Sequence, residues 1–321
     1  MGLMFSSILL FLLTISGSVV STVDSLEQIE TLSRQKYTKR QFAEIEKALA
    51  CKDYKIRVMS YNMLFNLFEE KKEEENWWKN RFSRVVDLIE ETAPDILGVQ
   101  ELYDEQVTDL LSKLGDEYVF VSRDPKIGET NGIFFKKNRF RLLDRAIWNT
   151  PHESQIHISD HLTTIVLQDC KTGKIFSVMN THFAFTDIET RERQAEFAGR
   201  LASQQKIPVI FTGDLNTFAA RPELYKMPFF DGDYVNKVLN HFCLHDAREL
   251  SLLGHVGPLS TFTNEETDTV AFKGTGTPGI FVDHIYLSKG ITVLVHAVEP
   301  AKVDGHFPSD HMPVFADLLI N

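Results

Sequence analysis

Four apolar runs in this chain stop abruptly in polar residues: Ile96-Leu-Gly-Val-Gln-Glu101, Phe176-Ser-Val-Met-Asn-Thr-His182, Pro208-Val-Ile-Phe-Thr-Gly-Asp214 and Phe281-Val-Asp-His284. A short apolar run that ends this way reads as a buried strand whose last residue emerges at a sheet edge, where sites are commonly built. One such ending says little. Four of them imply strands opening into a common pocket, and the third delivers a carboxylate and an amide side by side, Asp214 and Asn216.

With 321 residues, 43% of them hydrophobic, the chain can bury one large core or two small ones. Its formal net charge of -11 argues against a broad electrostatic grip on a polyanion, which would draw on clustered Lys and Arg. A single phosphate can still be held by a metal ion and a few local donors.

The apolar run from Leu3 to Ile15, followed by Ser16-Gly-Ser18 and Val19-Val-Ser21, reads as a secretory signal with small residues at its cleavage site. Its n-region lacks Lys and Arg, and the stretch could reach Val20, so an uncleaved membrane anchor stays open as the alternative. Leu26, Ile29, Leu32, Phe42, Ile45 and Leu49 are spaced like a helix face. The expected organisation is a signal over 1–21, a helical extension over 22–54 and one domain over 55–321. Glu69 to Glu75 reads as a solvated charged stretch. The three cysteines, Cys51, Cys170 and Cys243, have no metal-ligand spacing, and buried reduced thiols are the default expectation.

Strand, helix, strand occurs twice. Arg57-Val-Met-Ser-Tyr-Asn62, a helical pattern through Trp78, Val85 and Ile89, and the run to Glu101 parallel Ser177 to His182, a helix around Arg191 to Leu201, and the run to Asp214. Between them Tyr118 to Ser122, Gly132 to Phe135, Leu162 to Gln168 and Lys174 to Val178 read as further strands, the last two around a Lys171-Thr-Gly173 turn. Two packed sheets with helices outside account for these better than a doubly wound parallel sheet.

Hydrolysis of a phosphate ester needs charge neutralisation on the phosphoryl oxygens, an activated water and help for the leaving oxygen. Glu101 supplies the hard oxygen ligand that a magnesium site uses, Asn62 would orient it, and Asp310 could hold the metal through water. His152, His157, His161, His245, His255 and His306 form no metal triad, so loop or surface positions are expected for them.

Taken in order, Ser60-Tyr-Asn62, Gln100-Glu101, Asn180-Thr-His182, Gly213-Asp-Leu-Asn216, Val282-Asp283 and Ser309-Asp-His311 resemble the motifs of the endonuclease/exonuclease/phosphatase superfamily, over about Ile56 to Leu319. The resemblance implies an α/β fold, a four-layer sandwich of two mixed sheets flanked by helices, DNase I-like. It implies a metal-dependent phosphoesterase using magnesium, or manganese in its place. It further implies that Asp214 orients or deprotonates water, that Asn216 donates to phosphate, and that His311, held by Asp283, contacts the scissile group. His182 resembles the family's acid or phosphate clamp, with Glu129 as its best acidic partner.

Departures bear on substrate. Ser159-Asp-His161 stands where many members carry an Arg, and the His182 segment lacks the Tyr of abasic-site nucleases. The resemblance is tightest to secreted and deadenylase-like branches, where Arg191 and Arg193 would compete between phosphate binding and a solvated helix face. A secreted phosphodiesterase is the leading expectation. An extracellular nuclease acting on RNA or DNA, a sphingomyelinase-like lipid phosphodiesterase and a noncatalytic binding module on the same scaffold remain as alternatives.

Overall fold

The computed structural model describes residues 54–66, 77–152, 161–217, 231–263, 269–270, 279–300 and 302–321. The expected signal, most of the helical extension, the Glu69 to Glu75 stretch, Ser159 and most of the Gly-rich segment before Ile280 lie outside them.

The chain runs β1 (Ile56–Asn62), α1 (Trp78–Thr92), β2 (Ile96–Gln100), α2 (Asp104–Leu114), β3 (Tyr118–Val121), β4 (Ile133–Lys136), β5 (Phe140–Asn149) and β6 (His161–Asp169). It continues through β7 (Ile175–His182), α3 (Ile188–Ser203), β8 (Val209–Asp214), α4 (Tyr234–His241), β9 (His245–Asp246) and α5 (Ala247–Leu250). The last strands are β10 (His255–Pro258), β11 (Thr269–Val270), β12 (Asp283–Leu287), β13 (Ile291–Val298) and β14 (Val314–Ile320). Among the described residues one sheet has the order β11-β10-β13-β14-β1-β2-β4-β3 and the other β5-β6-β7-β8-β12-β9. Both are mixed. The two strand-helix-strand units supply the parallel pairs β1 with β2 and β7 with β8, and β10 also runs parallel to β13.

Three buried clusters correspond to the three interfaces of a four-layer sandwich. Met59, Tyr61, Leu97 and Val99 pack against Trp78, Val85, Leu88 and Leu110 of α1 and α2. Val58, Ile96, Val178, Ile210 and Ile285 meet between the sheets. Met179, Phe211 and Tyr286 pack against Ala195, Ala198, Val235 and Leu239 of α3 and α4. The burial of Trp78 settles that side chain as core.

Because side chains alternate along a strand, every second residue of four central strands enters the space between the sheets, and the registers stack them in levels. Val58 stands beside Ile96, and Val178 beside Ile210; this level is apolar. One step on, Ser60 pairs with Gly98, and Asn180 with Thr212. Asn180 Nδ2 donates to the Val99 and Gly132 carbonyls, 2.9 Å each, and its Oδ1 accepts from Gln100 Nε2 at 2.7 Å and Thr212 Oγ1 at 2.9 Å. Gly98 makes room for this contact, since a Cβ there would lie 2.2 Å from Thr212 Oγ1 and 2.6 Å from Asn180 Oδ1. The next level holds Asn62 beside Gln100 and His182 beside Asp214. Hydrophobic core thus gives way to a buried polar pin, and the pin to polar strand ends.

Several expectations change. Cys170 and Cys243 are exposed free thiols, because one sits in the β6–β7 turn and the other just after α4. His161 and His255 are buried: His161 Nε2 accepts the Asn131 amide at 2.9 Å, and His255 meets His296 between β10 and β13. The β6–β7 hairpin carries the Lys171 to Gly173 turn as expected, with Gly173 at φ 74.

Candidate active site

The strand ends gather at one edge of the sandwich because β1, β2, β7 and β8 all point their C-termini there. β12 runs the other way beside β8 and therefore brings its first residue, Asp283, opposite Asp214. The segment before β14 enters the same edge, since β14 pairs antiparallel with β1. Ser309 Oγ donates to the Asn62 carbonyl at 2.9 Å and fixes that segment.

Two site residues leave their strands through left-handed backbone. Glu101 has φ 64 and Asn216 φ 48, a region that residues other than glycine seldom occupy and that concentrates at functional sites. The turn at Asn216 lets its own N–H bond Asp214 Oδ1 at 3.0 Å.

Asp214 is buried at the centre. Its Oδ2 accepts from Asn62 Nδ2 at 3.0 Å and lies 3.6 Å from His182 Nε2 and 3.8 Å from His311 Nε2. Asn62 Nδ2 also donates to Glu101 Oε1 at 2.9 Å, whereas Asn62 Oδ1 accepts the Leu64 amide at 3.0 Å. Asn62 therefore presents amide hydrogens to two carboxylates, a geometry that suits orienting Glu101.

Each histidine is backed by an acid. His311 Nδ1 lies 2.7 Å from Asp283 Oδ2, and His182 Nδ1 lies 3.1 Å from Glu129 Oε1. Burial works against charging His311, but Asp283 outweighs it and holds the pKa well above the ordinary value. Burial likewise opposes charge on His182, yet Glu129 and Asp214 raise its pKa to about 10. Asn216 Nδ2 stands 3.1 Å from His182 Nε2 and also donates to the Phe183 carbonyl at 2.9 Å. A neutral ring accepts the Asn216 hydrogen; a charged ring sets two donors against each other, which an oxyanion between them would satisfy.

The donor set also fits a hard divalent cation. Glu101, His182 and Asp214 offer ligand atoms within 4.8 Å of one another, as do Asp214, Asp283 and His311. Burial pushes the Glu101 carboxyl up to about 7 despite the nearby His182, a desolvation cost that a bound cation would offset. Asp310 is half-buried beside Ser309, whose hydroxyl lies 3.3 Å from its Oδ1.

Other expected residues divide clearly. Phe262 lies beside the His311 ring, 4.4 Å between centroids, and borders the site. Arg191 is buried, and its guanidinium donates to the Ala184 and Phe185 carbonyls and faces Asp231. Through Nη1 it braces the loop at Ala184 and Phe185. Arg193 is partly exposed on the α3 surface near Glu189. Asp246 drew no attention in the sequence and His284 only as the end of an apolar run; their pairing joins residues far apart in the chain, and the β9–β12 pairing reveals it.

A two-sheet sandwich with acids, amides and histidines at one end defines a DNase I-like hydrolase fold. The endonuclease/exonuclease/phosphatase family model matches residues 59–311, and the chain belongs to that family, whose members are metal-dependent phosphoric ester hydrolases. Similar solved structures include an endonuclease/exonuclease/phosphatase from Bacteroides vulgatus, 24% identical, TM-score 0.66, covering 83% of this chain and 99% of that one. A mannosyl-6-phosphatase from Bacteroides thetaiotaomicron is 21% identical, TM-score 0.64, with 82% and 99% covered. The human Nocturnin catalytic domain, solved with a bound sulfate anion, is 23% identical, TM-score 0.61, with 84% and 94% covered. These likenesses concern the fold. No curated protein sequence matches the chain.

Proposed function

We propose that this chain is an exported, magnesium-dependent phosphodiesterase in which Asp214 activates the attacking water. The observation that carries the reading is the position of Asp214 Oδ2, within 4 Å of two acid-backed histidines and hydrogen-bonded to the amide that also holds Glu101. Glu101 would hold the ion, with Asp310 acting through water; magnesium, or manganese in its place, would neutralise phosphoryl charge.

The remaining chemistry belongs to the side chains. Asp214 takes a proton from water as the oxygen attacks phosphorus, and the ester P–O bond breaks. Charged His311 donates to a phosphoryl oxygen, with Asp283 fixing its ring. Asn216 and His182 turn donors toward a second oxygen. The ester oxygen leaves as an alcohol after taking a proton from the site or solvent.

Export rests on the Leu3 to Ile15 run and the small residues after it. N-terminal sequencing of exported protein should begin near Ser18 or Ser21; Met1 retained in a membrane fraction would overturn this and support the anchor. The net charge of -11 weighs against nucleic acid as the general substrate. The mature chain should be screened with magnesium or manganese against RNA, DNA, bis-p-nitrophenyl phosphate, nucleotides and sphingomyelin, with and without EDTA. Hydrolysis of at least one ester, abolished by EDTA, is expected. Inertness of folded protein on all of them would favour a binding module, and EDTA-resistant turnover would contradict the metal site.

A further inference from the structure

Consecutive residues of β12 carry two Asp–His pairs, and strand alternation sends them to opposite faces. Asp283 faces the other sheet and holds His311. His284 faces the outer side, where its ring lies near Phe281 and Tyr286, 5.4 and 5.7 Å between centroids. It is buried, with Nδ1 3.0 Å from Asp246 Oδ2 and Nε2 3.0 Å from the Thr217 carbonyl.

Both ends of this link are anchored. Asp246 is buried, its Oδ1 accepts the Arg248 amide at 2.8 Å at the start of α5, and its strand pairs with β12. Thr217 directly follows Asn216. The turn that carries Asn216 leaves the β8 ladder after Leu215, whose N–H reaches the Val282 carbonyl at 2.9 Å. Beyond that bond the left-handed Asn216 backbone is steadied by its amide on Asp214 and by the pull of His284 on the next carbonyl.

We infer that His284 is a positioning residue: held by Asp246, it draws back the Thr217 carbonyl and sets the Asn216 side chain against His182. Its effect on turnover rests on the reading of Asn216 as a phosphate donor. A small displacement of such a donor costs rate more than binding, because geometry is what the donor contributes.

The test uses isosteric replacement. Glutamine places its amide where Nε2 stands and keeps the bond to Thr217, whereas asparagine reaches only the Nδ1 position, toward Asp246. His284→Gln and His284→Asn are made in the wild-type and Asn216→Ala backgrounds. Turnover of bis-p-nitrophenyl phosphate with magnesium and hydrogen exchange over residues 209–217 are measured. His284→Asn should lower kcat by about 10–100-fold with little change in KM, and His284→Gln should recover most of it. In the Asn216→Ala background His284→Asn should add no further loss, and its faster exchange should be confined to 209–217. Equal loss in both His284 variants, multiplicative loss with Asn216→Ala, or unchanged exchange would overturn the inference. If the wild-type protein does not turn over this ester, the hydrolytic reading fails for it and exchange decides alone: local acceleration upholds the positioning role, and unchanged protection overturns it.

Discussion

At the residue scale the Asp283–His311 pair separates two explanations of an Asp beside a His. A pair that merely capped a loop would leave catalysis untouched when weakened. Here His311 Nε2 is turned toward Asp214, 3.8 Å from its carboxylate, so the ring's charge and orientation act on the reacting region. Asp283→Asn removes the charge that favours the imidazolium but keeps the size of the side chain. It should lower kcat by about 10²–10³-fold with an unchanged circular dichroism spectrum; steady-state kinetics on whichever ester is hydrolysed provides the check. The residues of the site were legible one by one because each ends an apolar run or sits in a short motif. Glu129 was harder to read, since it lies in a loop, and its burial beside His182 is what distinguishes it from a solvated acid. Asn62 was read as orienting Glu101, and its amide nitrogen lies against that carboxylate and Asp214.

At the element scale, strand alternation explains why so much of the fold could be read. In β1, β7 and β8 every second residue follows the series apolar, polar, site, so a period of two written in the sequence becomes three levels between the sheets. Strand β5 resists such reading: Arg141, Leu143, Asp144, Arg145, Ile147 and Trp148 are all exposed, and a bulge between Leu142 and Asp144 breaks its register. The polar level has a measurable cost. Asn180→Ala would leave the Val99 and Gly132 carbonyls, Gln100 and Thr212 without their shared buried partner. Unfolding free energy should fall by about 3 kcal/mol, read from urea denaturation. A change near zero would show that the pin does not join the sheets. Arg191 teaches the opposite lesson: a helix pattern suggested a solvated face or a phosphate ligand, and the fold buries the side chain with Nη1 on two loop carbonyls.

At the scale of the whole molecule, acidity and buried histidines set the working conditions. His255 and His296 meet at 2.9 Å, Nδ1 to Nδ1, an arrangement with room for one proton. Burial lowers the pKa of His255 to about 4, and burial with the neighbouring His255 lowers that of His296. Unfolded histidines take up protons as pH falls below 6.5, whereas native His255 does not until near 4 and His296 is held well below its ordinary value too. The pair therefore supports the fold fully above that upper value and loses its contribution as pH drops through the window. The difference in thermal midpoint between the wild-type protein and a His255→Gln/His296→Gln variant should shrink on acidification across it. A difference that stays constant would contradict the assignment. The expected signal and helical extension rest on composition and spacing alone and lie outside the described residues; they would bear on where the enzyme works, not on how its site is assembled.

Asp214→Asn separates a carboxylate that activates water from one that only shapes the pocket. The substitution keeps the side chain's shape and its contacts with Asn62 and Asn216 within reach but removes the base. With magnesium and the ester that the wild-type protein hydrolyses, kcat should fall by about 10³-fold or more, with the fold retained. A folded Asp214→Asn protein turning over within tenfold of wild type, on the order of a 1.4 kcal/mol change in barrier, would contradict the account.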